Sequence, residues 1–221
     1  MSRPSAETRS SAPPKKLGWL LTNPIVWIGF LGSIYALAMW NATRFELPPE
    51  MPVLGSIDDF ELRDQYGEPY GTKELEGKAW VANFIFTRCP TVCPAFSQKM
   101  RQIQHRTRGL STHFRLISFS VDPEYDTPER LMAYATTHGA SKTLWRFLTG
   151  PIDTVKHVVE KGLKMAMGND SPEGNFEGIF HGSHFVLVDA NRQIRGFFDA
   201  NEADAVDQVV RAAGLLLNRG D

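Results

Sequence analysis

The stretch from Val81 to Met100 begins with a continuous apolar run, and both cysteines of the chain follow shortly after that run. Residues 81–86 are apolar or aromatic apart from one asparagine, which predicts a central strand covered on both faces of a sheet. Pro90 and Pro94 then mark a turn, and the residues from 95 to 108 predict a helix. Because a helix N-terminus favours the thiolate form of a nearby cysteine, this junction suits nucleophilic or metal-binding sulfur.

The bulk properties of the sequence exclude several other classes of protein. The chain has 221 residues, a formal net charge of −1 and no run of Lys or Arg, which argues against nucleic-acid binding. Two cysteines are too few for a disulfide framework. The sequence also contains no Cys-rich zinc pattern and no Gly-rich phosphate loop. The close cysteine pair is therefore the main chemical signal, and it indicates redox or metal chemistry.

An uncharged apolar segment over residues 17–43 precedes the globular part of the chain. Its Leu17–Trp40 portion reaches the roughly 20 residues that a membrane-spanning helix needs. Positive charge precedes the segment and no positive excess follows it, so the positive-inside rule places the N-terminus in the cytoplasm. The competing interpretation is a signal peptide, because Ala36-Leu37-Ala38 resembles a cleavage site.

The sequence divides into four regions on this basis. We expect a disordered cytoplasmic tail over 1–16, a transmembrane anchor over 17–43, a proline-rich linker over 44–56 and a globular domain over 57–219. Anchored or cleaved, the cysteines would face an oxidising compartment. The lack of an Arg-rich transit peptide favours a bacterial inner membrane, with the globular domain in the periplasm, over a mitochondrial membrane.

Strands alternate with helices along the globular region. The pattern predicts a hairpin over 59–73 and strands over 80–86, 114–121, 144–148, 184–188 and 194–198. Helices are predicted over 95–108, 126–138, 153–162 and 203–217, with a long surface loop over 164–178. This order implies a mixed central sheet with helices on both faces, the layout of an α/β thioredoxin-like fold.

Cys89 and Cys93 stand four residues apart. If the first helical turn includes both, their Cβ atoms lie roughly 5–6 Å apart, which suits two thiolates on one metal ion. A small adjustment would bring the sulfurs to disulfide distance instead. The spacing alone therefore leaves three roles open for the pair: a metal site, a redox-active pair or a static disulfide. The static disulfide is the least favoured of these roles, because closing so short a loop stabilises the fold only slightly.

Ligand softness favours copper over zinc for this pair. Two thiolates and one imidazole suit copper, whereas zinc normally takes a fourth protein ligand or a water molecule. His181, just before the strand 184–188, is the favoured third ligand, and His184 is its rival. Met165 and Met167 are alternative soft ligands from the predicted loop. The other histidines fall in or beside helices and are expected at the surface or as caps: His105, His113, His138 and His157.

With these residues the sequence resembles the SCO/SenC family of copper chaperones, over roughly Phe60 to Leu217. The family's histidine ligand stands four residues before a Phe-Val-Leu-Val-Asp strand, which matches His181 before Phe185. Here Phe180 precedes that histidine and Gly182 follows it, where the family often has Asp or Thr and then Ser or Thr. Three further motifs of the family appear in this sequence. They are Phe-Thr-Arg-Cys-Pro-Thr-Val-Cys-Pro at 86–94, Ser-Val-Asp-Pro-Glu-Tyr-Asp-Thr-Pro-Glu at 120–129 and Trp-Arg-Phe-Leu-Thr-Gly at 145–150.

The resemblance implies one copper ion, as Cu(I), Cu(II) or both, bound by Cys89, Cys93 and His181. It also implies delivery of that ion to the copper-bearing subunit of cytochrome c oxidase during assembly, and so a chaperone rather than an enzyme. A thiol reductant protein would have to reduce a Cys89–Cys93 disulfide first, because only thiolates bind the metal.

Two other classes of function use the same cysteine pair. A membrane-anchored thiol–disulfide oxidoreductase would normally carry Cys-x-x-Cys and a cis-proline before the strand that faces it, but here three residues intervene and Gly182 takes the proline's place. A peroxidase would need a Thr and an Arg near the thiol, and Thr87 and Arg88 are present but adjacent in sequence. A redox sensor of copper or oxygen is the further alternative.

Overall fold

The structure, a computed structural model, describes residues 23–42, 50–167 and 183–219. The chain divides into two compact units, Met1–Glu50 and Met51–Asp221. Several predicted features lie outside the described residues: the tail 1–16, the anchor residues 17–22 and 43, the linker residues 44–49, and His181 with Gly182.

The described part of the first unit is the helix α1, Pro24–Ala42. Asn23 caps its start, because the side-chain oxygen accepts a hydrogen bond from the backbone N–H of Ile25 at 3.0 Å. The window Pro24–Asn41 is long and apolar enough to cross a membrane, and none of it is buried inside the protein. A signal sequence near the N-terminus would meet the same criterion. The helix therefore agrees with both interpretations of the apolar segment.

In the described part of the second unit, eight strands form one mixed sheet in the order β1-β8-β7-β4-β5-β6-β2-β3. The neighbours β4, β5 and β6 run parallel, and the other neighbours are antiparallel. The strands are β1 (Gly55–Ser56), β2 (Glu61–Asp64), β3 (Pro69–Gly71), β4 (Ala79–Ile85), β5 (Phe114–Ser120), β6 (Trp145–Thr149), β7 (His184–Val188) and β8 (Gln193–Asp199).

The helices of this unit occur along the chain in the predicted order, and the last helix follows the last strand. They are α2 (Val92–Thr107), α3 (Pro128–Thr137), α4 (Ile152–Lys156) and α5 (Ala205–Arg219), with a 3₁₀ turn at Arg108–Leu110. The start of α3 follows the expected chemistry, since the Thr127 hydroxyl accepts from the Arg130 N–H and Pro128 takes the first helical position.

The sheet separates two apolar cores. One core contains residues of α2, α3 and α5 together with Val81 and Ile85 of β4. The other contains residues of α4 and of the β2–β3 hairpin, Trp80 and Phe84 of β4, and both cysteines. Because successive side chains point to opposite faces, β4 contributes to both cores and is buried at every position. The predicted mixed sheet with helices on both faces is confirmed.

Two boundaries near the sheet differ from the prediction. The helix α2 begins at Val92 rather than at Ala95, because Pro94 lies in the first turn, where no intrahelical partner for an N–H is required. The sheet begins at Gly55–Ser56, inside the segment predicted as linker, where this short strand pairs with β8. Backbone pairing thus starts earlier than the proline content suggested.

The segment predicted as one helix over 153–162 has two geometries. It is α-helical only to Lys156 and continues as a π-helical turn over His157–Gly162. The backbone N–H of Leu163 reaches the carbonyl of Val158 at 2.8 Å, a five-residue span. The wider turn buries Val158 and Val159 against the core that contains the cysteines.

Candidate metal centre

The two cysteines lie on either side of the start of α2. The strand β4 ends at Ile85, Cys89 lies in the following turn, and Cys93 is the second residue of the helix. The premise that both belong to the first helical turn is therefore wrong for Cys89. Both side chains are nearly buried, at 7% and 3% exposure, and both are free thiols. Their side chains hydrogen-bond to each other.

The sulfur of Cys89 accepts hydrogen bonds at the N-terminus of α2. Burial raises the pKa of this thiol, but the backbone N–H groups of Cys93, Thr91 and Val92 and the Cys93 side chain together lower it below its ordinary value. Thr91, the N-cap residue, makes no capping hydrogen bond with its own side chain. The thiol of Cys89 thus takes the capping position, and its thiolate is favoured as the sequence predicted.

Cys93 has the opposite acid–base character. Burial raises the pKa of its thiol to about 12, and the neighbouring Cys89 and Asp126 add to the rise, while a hydrogen bond from the Phe86 backbone N–H opposes it. The pair therefore holds one sulfur that favours the thiolate and one that keeps its proton. Shared hydrogen bonding between a thiolate and a thiol keeps the two sulfurs together in the absence of metal.

A buried carboxylate, Asp126, fixes the turn that carries Cys89. It is 0% exposed and lies in the loop between β5 and α3. Its oxygens accept from the Thr87 backbone N–H at 3.1 and 3.2 Å, from the Thr87 hydroxyl at 2.5 Å and from the Ser120 hydroxyl at 2.6 Å. Burial raises the pKa of Asp126, and the hydrogen bonds from Ser120 and Thr87 oppose that rise.

An exposed ion pair joins the same two loops at the surface. The Arg88 guanidinium contacts the Asp122 carboxylate at 2.6 Å and lies 4.6 Å from the centre of the Tyr125 ring. Arg130 of α3 lies over that ring at 3.8 Å and donates to the Tyr125 carbonyl at 2.5 Å. Thr87 and Arg88, considered above as parts of a peroxidase site, both contact the β5–α3 loop.

Tyr134 of α3 brings a phenol close to the cysteine pair. Its hydroxyl and that of Ser97 of α2 are 2.8 Å apart. Burial raises the pKa of Tyr134, the Ser97 hydrogen bond lowers it, and the negative charges of Cys93, Cys89 and Asp126 raise it further. The phenol therefore stays protonated and can donate hydrogen bonds.

Four of the histidines can be compared by their exposure. His105, His113 and His157 are exposed, as expected, whereas His138 is half-buried, with its ring 4.3 Å from that of Tyr134. Burial and the charge of Arg101 lower the pKa of His138. None of these four joins a group of metal ligands among the described residues.

His184 begins β7 opposite Asp199 of β8. Its Nδ1 atom is buried and has no hydrogen-bond partner within the described residues. Even so, the described ranges contain no group of three or more His, Cys, Asp or Glu side chains able to hold a metal ion. His184 therefore does not complete such a group with the two cysteines.

The two methionines considered as soft ligands are part of the apolar core. Met165 and Met167 are each 9% exposed and belong to the same buried cluster as Cys89 and Cys93. They thus lie on the cysteine side of the sheet, where their thioethers pack in the core.

Sequence reasoning missed Asp126 and Tyr134 as parts of the site. The Asp-Thr-Pro-Glu run at 126–129 predicts a helix start and belongs to the family motif at 120–129, but neither interpretation gives Asp126 a role beside the cysteines. For Tyr134 the only signal was its place in an amphipathic helix, which does not distinguish a phenol near sulfur from ordinary packing.

A mixed sheet of this order, with a cysteine pair where the central strand meets a helix N-terminus, is typical of the thioredoxin-like class of proteins. The SCO1/SenC family model matches residues 54–213. The SCO1 protein homolog of Bacillus subtilis is 31% identical over 160 residues, which cover 72% of this chain and 81% of that protein. The chain therefore belongs to the SCO1/SenC family.

Two solved structures are similar over most of the second unit. BsSco, a member of the Sco family of cytochrome c oxidase assembly proteins, is 30% identical with a TM-score of 0.63, covering 75% of this chain and 98% of its own. Yeast Sco1 with copper bound is 25% identical with a TM-score of 0.58, covering 74% of this chain and 90% of its own. The thioredoxin-like fold predicted from the sequence is confirmed.

The two thiols are expected to differ in reactivity. In the folded protein at neutral pH, iodoacetamide should modify Cys89 faster than Cys93, because alkylation requires the thiolate, and the pKa of Cys89 is lowered while that of Cys93 is raised to about 12. Tandem mass spectrometry of the peptide that contains both residues measures this. Denatured protein is the control, since both thiols should then react alike. Equal reaction of both thiols in the folded protein would contradict the assignment.

The substitution Asp126→Asn should destabilise the protein. The amide nitrogen cannot accept a hydrogen bond, so at least one donor from Thr87 or Ser120 loses its acceptor, at a cost of about 1–3 kcal/mol in the free energy of unfolding. Denaturant unfolding of the full chain in neutral detergent measures the change. Glu124→Gln, an exposed neighbour in the same loop, is the matched control. Equal stability of the two variants would exclude a structural role for Asp126.

Proposed function

We propose that this protein binds one copper ion through the thiolates of Cys89 and Cys93 and the imidazole of His181, and delivers it to the copper-bearing subunit of cytochrome c oxidase. The observation that carries the proposal is the pair of free, buried sulfurs, hydrogen-bonded to each other at a helix N-terminus, in a chain of the SCO1/SenC family. The copper bound to yeast Sco1 and the assembly role of the family of BsSco support it.

The donor set fits copper on chemical grounds. Thiolate sulfur is soft, and two thiolates with one imidazole favour copper over hard cations such as magnesium or calcium. The sulfurs lie in an apolar core with Phe86 and Val121, which excludes water from the ligands. Binding would release the Cys93 proton, since the metal requires the thiolate, so copper affinity should rise with pH.

The third ligand is assigned from chain direction as well as from the family motif. The strand β7 runs antiparallel to β4, with Val186 opposite Ala82. The chain therefore enters β7 at the end of the sheet where β4 leads into the cysteine turn. His181 comes three residues before β7 begins, and the described residues supply no third His, Cys, Asp or Glu ligand. The chain direction places both histidines at the cysteine end of the sheet, and the lack of a third ligand among the described residues favours His181 over His184.

Metal loading would require a reduced cysteine pair. In an oxidising compartment the pair would form a disulfide, which lacks the thiolates that bind copper. A dithiol reductant protein would supply two electrons and two protons and become a disulfide itself. A thiol–disulfide oxidoreductase or redox sensor is the second candidate function, favoured by the stabilised thiolate of Cys89. We propose the chaperone rather than an enzyme, because three residues separate the cysteines where Cys-x-x-Cys has two, and because the chain belongs to the SCO1/SenC family.

The location proposed for the chain follows from α1. We infer a single-pass anchor in a bacterial inner membrane, with the N-terminus in the cytoplasm and the copper site in the periplasm. The apolar helix Pro24–Ala42 and the positive charges before it support this orientation. The regions would then be a tail over 1–16, an anchor over 17–43, a linker over 44–56 and a thioredoxin-like domain over 57–219.

Replacement of the third ligand should weaken copper binding selectively. Anaerobic Cu(I) titration of the full chain in detergent against a competing chelator should show a loss of affinity of at least about tenfold for His181→Ala, since even outer-shell changes typically cost 10–100-fold. Cys89→Ser and Cys93→Ser should lose more, and His184→Ala is the matched control. Loss in His184→Ala with retention in His181→Ala would overturn the ligand assignment. Disulfide-reductase turnover without copper binding would overturn the chaperone.

The anchor should keep the mature chain in the membrane. After alkaline carbonate extraction of bacterial membranes, the full-length protein should stay in the pellet with an intact N-terminus, because a spanning apolar helix resists extraction. A reporter that is active only in the periplasm, fused after Asp221, should be active. Release of a shortened protein beginning at Met39 would show that the segment is a cleaved signal peptide instead.

A further inference from the structure

Two segments of the chain contain no carboxylate at all. Residues 77–121 hold seven Lys or Arg and no Asp or Glu, and residues 130–152 hold three Lys or Arg and no Asp or Glu. The whole chain has a formal net charge of −1, so this excess of positive charge is local. The ten cations are Lys78, Arg88, Lys99, Arg101, Arg106, Arg108 and Arg115, then Arg130, Lys142 and Arg146.

Several of these cations have carboxylate partners in other segments. Arg88 pairs with Asp122, Arg106 with Asp207 and Arg146 with Asp64. Lys99 and Arg115 instead donate to backbone carbonyls. Arg101, Arg108 and Lys142 form no ion pair with any carboxylate in the described part of the chain.

An open cavity of about 340 Å³ lies between the two carboxylate-free segments. One wall comes from the C-terminal half of α2 and the 3₁₀ turn, and the other from the loop between α3 and β6. No carboxylate among the residues that the structure describes lines this cavity. The lining consists of Arg101, Gln104, His105, Arg108, Ser111, Gly139, Ser141, Thr143 and Leu144.

The Gln104 side chain links the two walls of the cavity by hydrogen bonds. It donates to the Gly139 carbonyl at 3.0 Å and accepts from the Ser141 backbone N–H at 2.7 Å. The Arg101 guanidinium lies next to Gly139, 3.5 Å from the position that a Cβ atom would take there. The Arg101 side chain therefore reaches from α2 to the loop that forms the other wall of the cavity.

The second guanidinium is held by a histidine rather than by an acid. A nitrogen of Arg108 lies 3.0 Å from Nε2 of His105. Because a guanidinium can only donate, Nε2 of His105 accepts this hydrogen bond. Two arginines thus face one cavity with no anion to neutralise them, which is an arrangement that lowers the energy of a bound anion.

We propose that this cavity is a binding site for a phosphate-bearing anion, either the headgroup of an anionic phospholipid or a free phosphate. Guanidinium groups match phosphate oxygens in geometry. The Ser141 and Thr143 hydroxyls, 3.2 Å apart, hydrogen-bond to each other and leave one O–H group to donate to the anion. The volume falls in the roughly 300–1,000 Å³ range of ligand sites. The site lies where β5 and β6 begin, while the cysteines follow the other end of β4, so it is separate from the metal centre.

Hydrogen exchange of the full chain in neutral detergent micelles tests the site. Exchange of peptides from 101–111 and 138–144 is compared in chloride, in inorganic phosphate at the same ionic strength, and in micelles that contain phosphatidylglycerol or phosphatidylcholine. A ligand at about ten times its dissociation constant should slow local opening of these peptides about tenfold. The double variant Arg101→Gln/Arg108→Gln should lose this protection, and Arg101→Lys/Arg108→Lys should keep part of it.

The matched control is Lys73→Gln/Lys161→Gln, which removes the same charge from two exposed positions outside the cavity. Protection by phosphatidylglycerol alone supports the lipid headgroup, and protection by inorganic phosphate as well supports a free anion. Protection by neither, or equal loss of protection in the control, overturns the proposal. Copper affinity should be unchanged in both double variants, so failure here is distinguishable from failure of the proposed metal site.

Discussion

Burial of β4 on both faces is the constraint on which the rest of the structure depends. All seven residues of the strand are buried, and the six apolar ones alternate between the two apolar cores. A strand with water on neither side cannot slip by one residue without moving every side chain to the wrong core. The end of β4 is therefore fixed, and the turn that follows it delivers Cys89 and Cys93 to one place.

The candidate metal centre depends on two neighbouring parallel strands. Because β4 and β5 pair in register up to Ile85 and Ser120, the cysteine turn and the loop that carries Asp126 leave the sheet at the same level. The Asp126 carboxylate accepts hydrogen bonds from the turn, and the amides at the helix N-terminus donate to the Cys89 sulfur. The two thiols differ in pKa because these amides stabilise the Cys89 thiolate, whereas burial, with the nearby Cys89 and Asp126 charges, raises the pKa of Cys93.

Local patterns predicted most of the fold but less of the site. Periodicity and turn residues indicated the strands, the helices and the cysteine junction, because these depend on side chains close in sequence. The hydrogen bonds from Thr87 to Asp126 and between Tyr134 and Ser97 join residues that are 39 and 37 positions apart. Such contacts depend on strand order and register, which no local pattern carries. The π-helical turn after Lys156 likewise depends on packing of Val158 and Val159.

The shared level of the two strand ends has a consequence for how this chain can vary. The segments 86–94 and 120–129 depend on each other structurally, although other residues separate them in the sequence. Exchange of only one segment would remove the Asp126 acceptor from the Thr87 amide, or the Thr87 hydroxyl from the buried Asp126 carboxylate. Transplanting the cysteine turn into another α/β protein would therefore require the second loop as well, carried on the adjacent parallel strand.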